Sequence, residues 1–406
     1  MLVVPSINRE TGGPAKSNLS LATDLNRLGH HVEIFSTDWP AAQAEEEKVI
    51  EQDGVTIRLF PATNIPGLGH VPYSRGLIRA VRSEMGRFDF FHVASLWNPL
   101  VSHTIKILRR RRVPYAVTAH GMMDPVVFAR NRILKSLWAW LWERSNVEGA
   151  TLVIFNSRRE EAKAKSKGWR MRRTLVVPHS INLSAGLNLP PRNQLEQSYP
   201  SLIGKTVVAF IGRVNWVKNI DLLIAAIAHL RKQGLNVALV CAGPDSDDYQ
   251  KVLESLAIEL GVREHILFTG MLEDAELQAV FARADVAALI SKKENFGLSA
   301  AEALGAGIPV VLSDGVDMGE NWTAPPVWRV EQDERAIAAG ISAALDCSQK
   351  TGLPGQLARE LACREFDVKN HVQLAQTLES ISIAHRASHD AMGEPAKRPL
   401  KSAPVK

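Results

Sequence analysis

The chain has 406 residues, 46% hydrophobic and 22% charged, a balance that excludes a disordered or fibrous polypeptide and a length too great for one ordinary core. No apolar run reaches the roughly 18 residues of a spanning helix. The opening MLVVPSINRETGG lacks the basic region and apolar length of a secretory leader, and the 3 cysteines, Cys241, Cys347 and Cys363, are too far apart to suggest a disulfide framework or a metal cluster. A cytoplasmic chain with reduced cysteines is expected. The net charge of +5 conceals an asymmetry: residues 1–195 carry 27 Lys/Arg against 16 Asp/Glu, and residues 196–406 carry 21 against 27. The first half is therefore expected to face something anionic, whether a membrane surface, nucleic acid or a phosphorylated substrate.

In chain order the first half offers the apolar runs LVVPS, HVEIFST, FFHVAS, YAVTAH and TLVIFNS, and the second VVAFIG, VALVCAG, HILFTG and DVAALIS, with helical patterns between them. Continuous apolar runs alternating with helices predict parallel strands buried on both faces. The expectation is an α/β chain of two Rossmann-like parallel-sheet domains facing a cleft. A first domain over 1–190 is followed by a proline-rich, aperiodic linker over 191–204 and a second domain over 205–366. A helix over 367–387 can cross back to the first domain, and residues 388–406 read as a disordered tail.

In open parallel sheets ligands bind beyond the carboxyl ends of the strands, where free N–H groups of helix starts face the crevice. After VVAFIG the loop RVNWVKN places Arg213 and Lys218 before a helix; a forked guanidinium and a mobile ammonium together suit a diphosphate. After DVAALIS comes SKKENFGLSAAEALGAGIPVV, with Glu294 on the loop and Glu302 in the second turn of a helix beginning near Gly297 or Leu298. Two glutamates eight apart in one continuous helix would not share a face. With one on the loop and one on the helix, both can reach a single ligand. The backbone at Asn295, Phe296, Gly297 and Leu298 can then approach phosphate oxygens.

These segments, with TGGPAKSNLSLATDLNRLGHHVEIFST and VTAHGM, resemble a family 4 retaining glycosyltransferase of the GT-B fold over roughly residues 10–385. The resemblance implies a C-terminal domain that binds a nucleotide diphosphate sugar and an N-terminal domain that binds the acceptor. It further implies that Arg213 and Lys218 neutralise the diphosphate, Glu302 accepts from the ribose and Glu294 from the sugar hydroxyls. Gly270, Met271 and Leu272 would frame the base, Gly12 and Gly13 would let the first loop approach phosphates and acceptor, and His120 would contact the donor sugar. The activity expected is hexosyl transfer with retention to a glycan or lipid-linked glycan in cell-surface polysaccharide or lipid-linked oligosaccharide synthesis. Two rivals are a nucleotide-sugar 2-epimerase, which needs no acceptor, and a noncatalytic nucleotide-sugar-binding protein. The chain departs from the family where PNG is usual, at His179 and Ser180, and after PVVLSDG, where VDMGENWTAPP replaces a glycine pair and a glutamate.

No cofactor or metal is expected, since the two cations supply the charge that a metal would. The D-x-D pair Asp245 and Asp247 is set aside on that ground, and IGKT (203–206) because Tyr199 stands where a phosphate loop needs glycine. KILRRRRVP and RNRILKSLWAWLWERS, with Trp138, Trp140 and Trp142, suit either a peripheral contact with the inner face of the plasma membrane or a basic helix with buried tryptophans. No nucleic-acid module is present.

Overall fold

A computed structural model describes residues 1–8, 11–40, 46–64, 72–124, 136–246 and 248–391. The chain divides into two compact units, one of residues 1–180 with 368–406 and the other of 181–367.

The first unit contains β1 (Leu2–Ser6), α1 (Gly13–Arg27), β2 (Glu33–Thr37), β3 (Lys48–Gln52), β4 (Val55–Phe60), the short pair β5 (Thr63–Asn64) and β6 (Pro72–Tyr73), α2 (Arg75–Glu84), β7 (Phe91–Ala94), α3 (Pro99–Arg110), β8 (Tyr115–Thr118), β9 (Leu152–Phe155), α4 (Arg158–Lys165) and β10 (Thr174–Val176). Its main sheet has the order β10-β9-β8-β7-β1-β2-β4-β3. All pairs are parallel except β3 with β4. That hairpin was not foreseen, although Asp53-Gly54, both at positive φ, is a strong two-residue turn signal. Burial on both faces of the central strands explains their continuous apolar runs: one face packs Leu77, Leu100 and Ile105. The other packs Leu21, Ala22 and Leu25 of α1 against Leu374 and Ala375 of the C-terminal helix Lys369–Ala391. The disordered tail was expected over 388–406, but the helix continues through 388–391; residues 392–406 lie outside the described residues.

The second unit has β11 (Thr206–Ile211), α5 (Ile220–Lys232), β12 (Val237–Ala242), α6 (Tyr249–Glu259), β13 (Ile266–Gly270), α7 (Asp274–Arg283), β14 (Val286–Leu289), α8 (Leu298–Gly305), β15 (Val310–Ser313), β16 (Val327–Val330), α9 (Glu334–Thr351) and α10 (Pro354–Glu365). Its six strands run β13-β12-β11-β14-β15-β16, all parallel. Where a linker was expected, Gln194–Ser198 is helical and Leu195 and Leu202 are buried in this unit's core. Glu196 accepts from Arg283 Nε at 2.7 Å. Two apolar side chains and one ion pair thus commit that stretch to the second unit. The strand order reverses between β11 and β14, which puts their carboxyl ends at the sheet's switch point.

Candidate functional site

In the second unit the loop after β11 turns at Gly212, which sits against Gly243: a Cβ on Gly243 would lie 2.1 Å from the Gly212 carbonyl oxygen. Only glycine permits this approach, which brings Val214 N–H to the Pro244 carbonyl at 2.9 Å. Sequence reasoning missed Gly243. Arg213 on this loop is exposed. The following turn, Trp216–Lys218, is capped by Asn215, whose Oδ1 accepts from Val217 N–H at 3.2 Å. Asn219 then takes the left-handed conformation, φ 51°, to enter α5.

Lys218 does not face solvent as a free diphosphate ligand would. Its ammonium donates to Glu294 Oε2, with side chains only 17% and 22% exposed. Glu294 is held from behind: its N–H donates to the Gly315 carbonyl and its carbonyl accepts from Asp317 N–H, both at 2.9 Å. Lys292 N–H donates to the Val217 carbonyl at 2.8 Å, and its ammonium lies 5.0 Å over the half-exposed Trp216 ring. The two loops predicted to share a ligand are thus joined through the first glutamate and the second cation.

Gly297, φ 91°, precedes α8, and a Cβ there would meet Leu289 at 2.8 Å. Ala300 and Ala301 make the first bonds back to its carbonyl, at 2.9 and 3.1 Å. The N–H groups of Leu298 and Ser299 therefore precede the helix's own bonding and carry its positive dipole end. Phe296 is buried edge-on to Phe366, with centroids 5.6 Å apart. Asn295 and Leu298 are partly buried, and Glu302 is partly buried in the second turn of α8. At the end of β13, Gly270 has φ 71°, Met271 is 48% exposed and Leu272 packs on the core. Asp245 caps Gln250 N–H at 3.1 Å; Asp247 lies outside the described residues.

In the first unit, Gly12 (φ 95°) and Gly13 start α1, with Pro14 in its first turn. Ser17 and Asn18 of that helix line a pocket with His92, Thr118, His120, Asn156, His179 and His371. His120 has φ 47°. Asn18 Nδ2 is 3.5 Å from its Nε2, and its ring stacks on His179 with centroids 5.9 Å apart. Burial pushes the His120 imidazole down to about 4, partly opposed by a hydrogen bond with Asn156. His92 is driven to about 3, by burial first and then by the charge of His120. Burial also depresses His179. Neutral imidazoles result.

The departure at His179-Ser180 has a local reason. Ser180 Oγ donates to Asp24 Oδ2 at 2.5 Å, and His371 Nδ1 lies 2.8 Å from the same oxygen. Burial alone would raise the Asp24 carboxyl, but the hydrogen bonds from His371 and Ser180 hold it below the usual range. Two further carboxylates were missed. Glu160 takes Gly121 N–H at 2.6 Å and Asn156 N–H at 2.7 Å, fixing the residue after His120. Glu143 is brought inward by a π-turn, Ala139–Glu143. Its Oε1 accepts from Ser102 Oγ at 2.7 Å, Trp138 Nε1 at 3.0 Å and Trp97 N–H at 3.1 Å. Burial raises its carboxyl against those bonds.

Two parallel-sheet α/β domains with these loops define a GT-B glycosyltransferase fold. Residues 12–179 match the Glycosyl transferase 4-like domain and residues 192–356 match Glycosyl transferases group 1. The chain is 30% identical over 334 residues to a D-inositol 3-phosphate glycosyltransferase of Xylanimonas cellulosilytica, covering 75% of this chain and 76% of that one. It is 28% identical to an uncharacterized glycosyltransferase of Methanocaldococcus jannaschii, over 83% and 86% of the two chains. The chain belongs to the family 4, group 1 glycosyltransferases. Among solved structures it is similar to Anabaena HepE in complex with UDP (TM-score 0.73, 22% identity, 93% of this chain and 99% of that one). It is also similar to WaaG, a glycosyltransferase involved in lipopolysaccharide biosynthesis (TM-score 0.69, 17% identity, 93% and 99%).

Proposed function

We propose that the chain transfers a hexosyl unit, with retention, from a nucleoside diphosphate sugar to an acceptor hydroxyl of a glycan or lipid-linked glycan, in cell-surface polysaccharide or lipid-linked oligosaccharide synthesis. The observation that carries this reading is the Lys218–Glu294 pair, which joins a phosphate-type loop to a carboxylate beside a helix start. Without donor, each charge satisfies the other. With donor, Lys218 turns to the diphosphate and Glu294 accepts from sugar hydroxyls, so neither is left buried and unpaired. UDP-glucose is the first donor to test, because HepE has been crystallised with it.

As the bond to the diphosphate breaks, negative charge grows on the leaving oxygen. Arg213, Lys218 and the N–H groups at the start of α8 meet it there. The leaving oxygen takes the acceptor hydroxyl's proton as the new bond forms on the same face of the sugar. These side chains supply the charge that a metal would, and metal independence is part of the proposal. His120, neutral, offers one hydrogen bond to a hydroxyl. The first unit presents Leu137, Trp140 and Leu141, all exposed, beside a basic patch. Exposed Lys106, Arg109 and Arg110 form that patch, with Arg109 bonded to Ser145 at 2.7 Å. We assign this face to peripheral contact with an anionic cytoplasmic leaflet.

The two glutamates test the site. Glu302→Ala should weaken UDP and UDP-glucose alike, because both carry the ribose. Glu294→Ala should spare UDP in calorimetry and lower donor turnover, its partner hydroxyls existing only on the sugar. Equal loss of UDP affinity in both variants would overturn the assignment.

A further inference from the structure

Arg329 lies on β16, the edge strand of the second unit's sheet. Its guanidinium is spent on backbone: Nε donates to the Gly319 carbonyl at 3.1 Å, and Nη1 to the carbonyls of Ser313 and Val316 at 2.9 and 3.1 Å. Nη2 donates to those of Val316 and Met318 at 3.0 and 2.5 Å. Four carbonyls of one seven-residue segment thus converge on one planar fork, a geometry that a lysine cannot reproduce.

The segment so held, 313–319, runs into the stretch, from Val316 on, where the sequence departs from its family resemblance. It grips the Glu294 loop at several points. Gly315 accepts from Glu294 N–H and Asp317 donates to the Glu294 carbonyl, while Ser313 Oγ donates to the Ser291 carbonyl at 2.7 Å. At Gly315 the two segments are in backbone contact, since a Cβ would lie 2.3 Å from the Ser291 oxygen. The Glu294 backbone has no freedom to shift unless this segment shifts too.

We propose that Arg329 is a positioning residue for Glu294: by clamping the 313–319 backbone it fixes the peptide on both sides of Glu294 and so sets the carboxylate for the donor sugar. This rests on Glu294 being the sugar-recognition carboxylate. Arg329 touches no substrate in this account and acts through one intermediary.

The test is a double-mutant cycle of Arg329→Met and Glu294→Gln, with Arg329→Lys as a second variant if the methionine variant does not fold. Arg329→Met should leave UDP affinity within about twofold and lower kcat with UDP-glucose by about tenfold or more. In the Glu294→Gln background the same change should cost less than about twofold, because the group it acts through is already lost. Arg329→Lys should recover only part of kcat. Amide hydrogen exchange on the full chain should show protection falling at Glu294 and Asp317 while β11 and β12 stay protected. An equal loss in both backgrounds, or a fall in UDP affinity in step with kcat, overturns the proposal. If Glu294→Gln alone leaves turnover unchanged, the donor-site reading fails instead. The exchange measurement then still decides whether Arg329 holds Glu294: unchanged protection at those two amides overturns the clamp on its own.

Discussion

Arg213 and Lys218 carry the same charge in different surroundings, and their variants should differ accordingly. Arg213 is exposed, and Lys218 is paired with Glu294. Arg213→Ala should therefore leave the melting temperature nearly unchanged, while Lys218→Ala should cost about 1 kcal/mol by leaving a partly buried carboxylate unpaired. Both should lower kcat/KM by a hundredfold or so, about 3 kcal/mol of charge stabilisation in the transition state. Denaturant titration and kinetics on the same preparations check both halves. The buried histidines give a second prediction. His120 and His92 are held near 4 and 3, below their ordinary value of 6.5, so between those values the unfolded chain takes up protons that the folded chain refuses. Stability should then fall as pH drops below about 6.5 and level off only below the folded values. In His120→Asn part of that loss is absent. Its urea midpoint should approach that of the wild type between pH 7 and 4.5, closing a gap of about 2 kcal/mol. Parallel curves would show that His120 titrates normally.

At the scale of elements, the candidate site residues of each unit stand on strand-to-helix loops fixed from behind by carboxylates and backbone contacts. Glu143 shows how: one extra residue in the π-turn swings its carboxylate onto Trp97 N–H and Ser102, tying the entry of α3 to the 139–143 turn. Glu143→Ala leaves four donors without their acceptor, the three on Oε1 and Asn146 Nδ2 on Oε2, and should cost about 3 kcal/mol or more; Glu143→Gln keeps a carbonyl oxygen for the first three and should cost less than about 1 kcal/mol. Equal costs in urea denaturation would remove the hydrogen bonds from the account. The parallel strands were legible in the sequence because burial on both faces leaves an unbroken apolar run. The β3–β4 hairpin escaped because Lys48–Gln52 is an edge strand with mostly exposed side chains, which no apolar run announces. At the site, residue types at strand ends were legible and their partners were not. Glu294 and Lys218 stood out by position, but their mutual pairing depends on loop geometry. Glu143 depends on a π-turn that no spacing reveals. Arg329, Glu160 and Gly243 act on backbone groups, which every residue carries, so nothing in the sequence singles them out.

At the scale of the whole molecule, the basic first half has a surface to match. Among the described residues no helix is long and apolar enough to cross a membrane, and Trp138 and Trp142 pack on each other 4.8 Å apart while Trp140 stands 75% exposed. The tryptophan run is thus divided between a partly buried, mutually packed pair and an outward face. Trp140→Ala with Leu141→Ala should reduce binding to phosphatidylglycerol vesicles by about tenfold, and raised salt should weaken what remains. Binding that neither change affects would remove this face from the account. If Arg213 and Lys218 meet the diphosphate charge as proposed, activity should also survive EDTA. Turnover lost on chelation and restored by Mn²⁺ or Mg²⁺ would contradict that.

Under the proposed function this chain breaks the sugar–diphosphate bond of a nucleotide sugar using those two cations. The most direct measurement is release of UDP from UDP-glucose by the purified full chain, beside the Arg213→Ala/Lys218→Ala double variant, with other nucleoside diphosphate sugars run in parallel. Steady nucleoside diphosphate release is expected from at least one donor, at least a hundredfold slower in the double variant. No release from any donor, or equal release by both proteins, would contradict it.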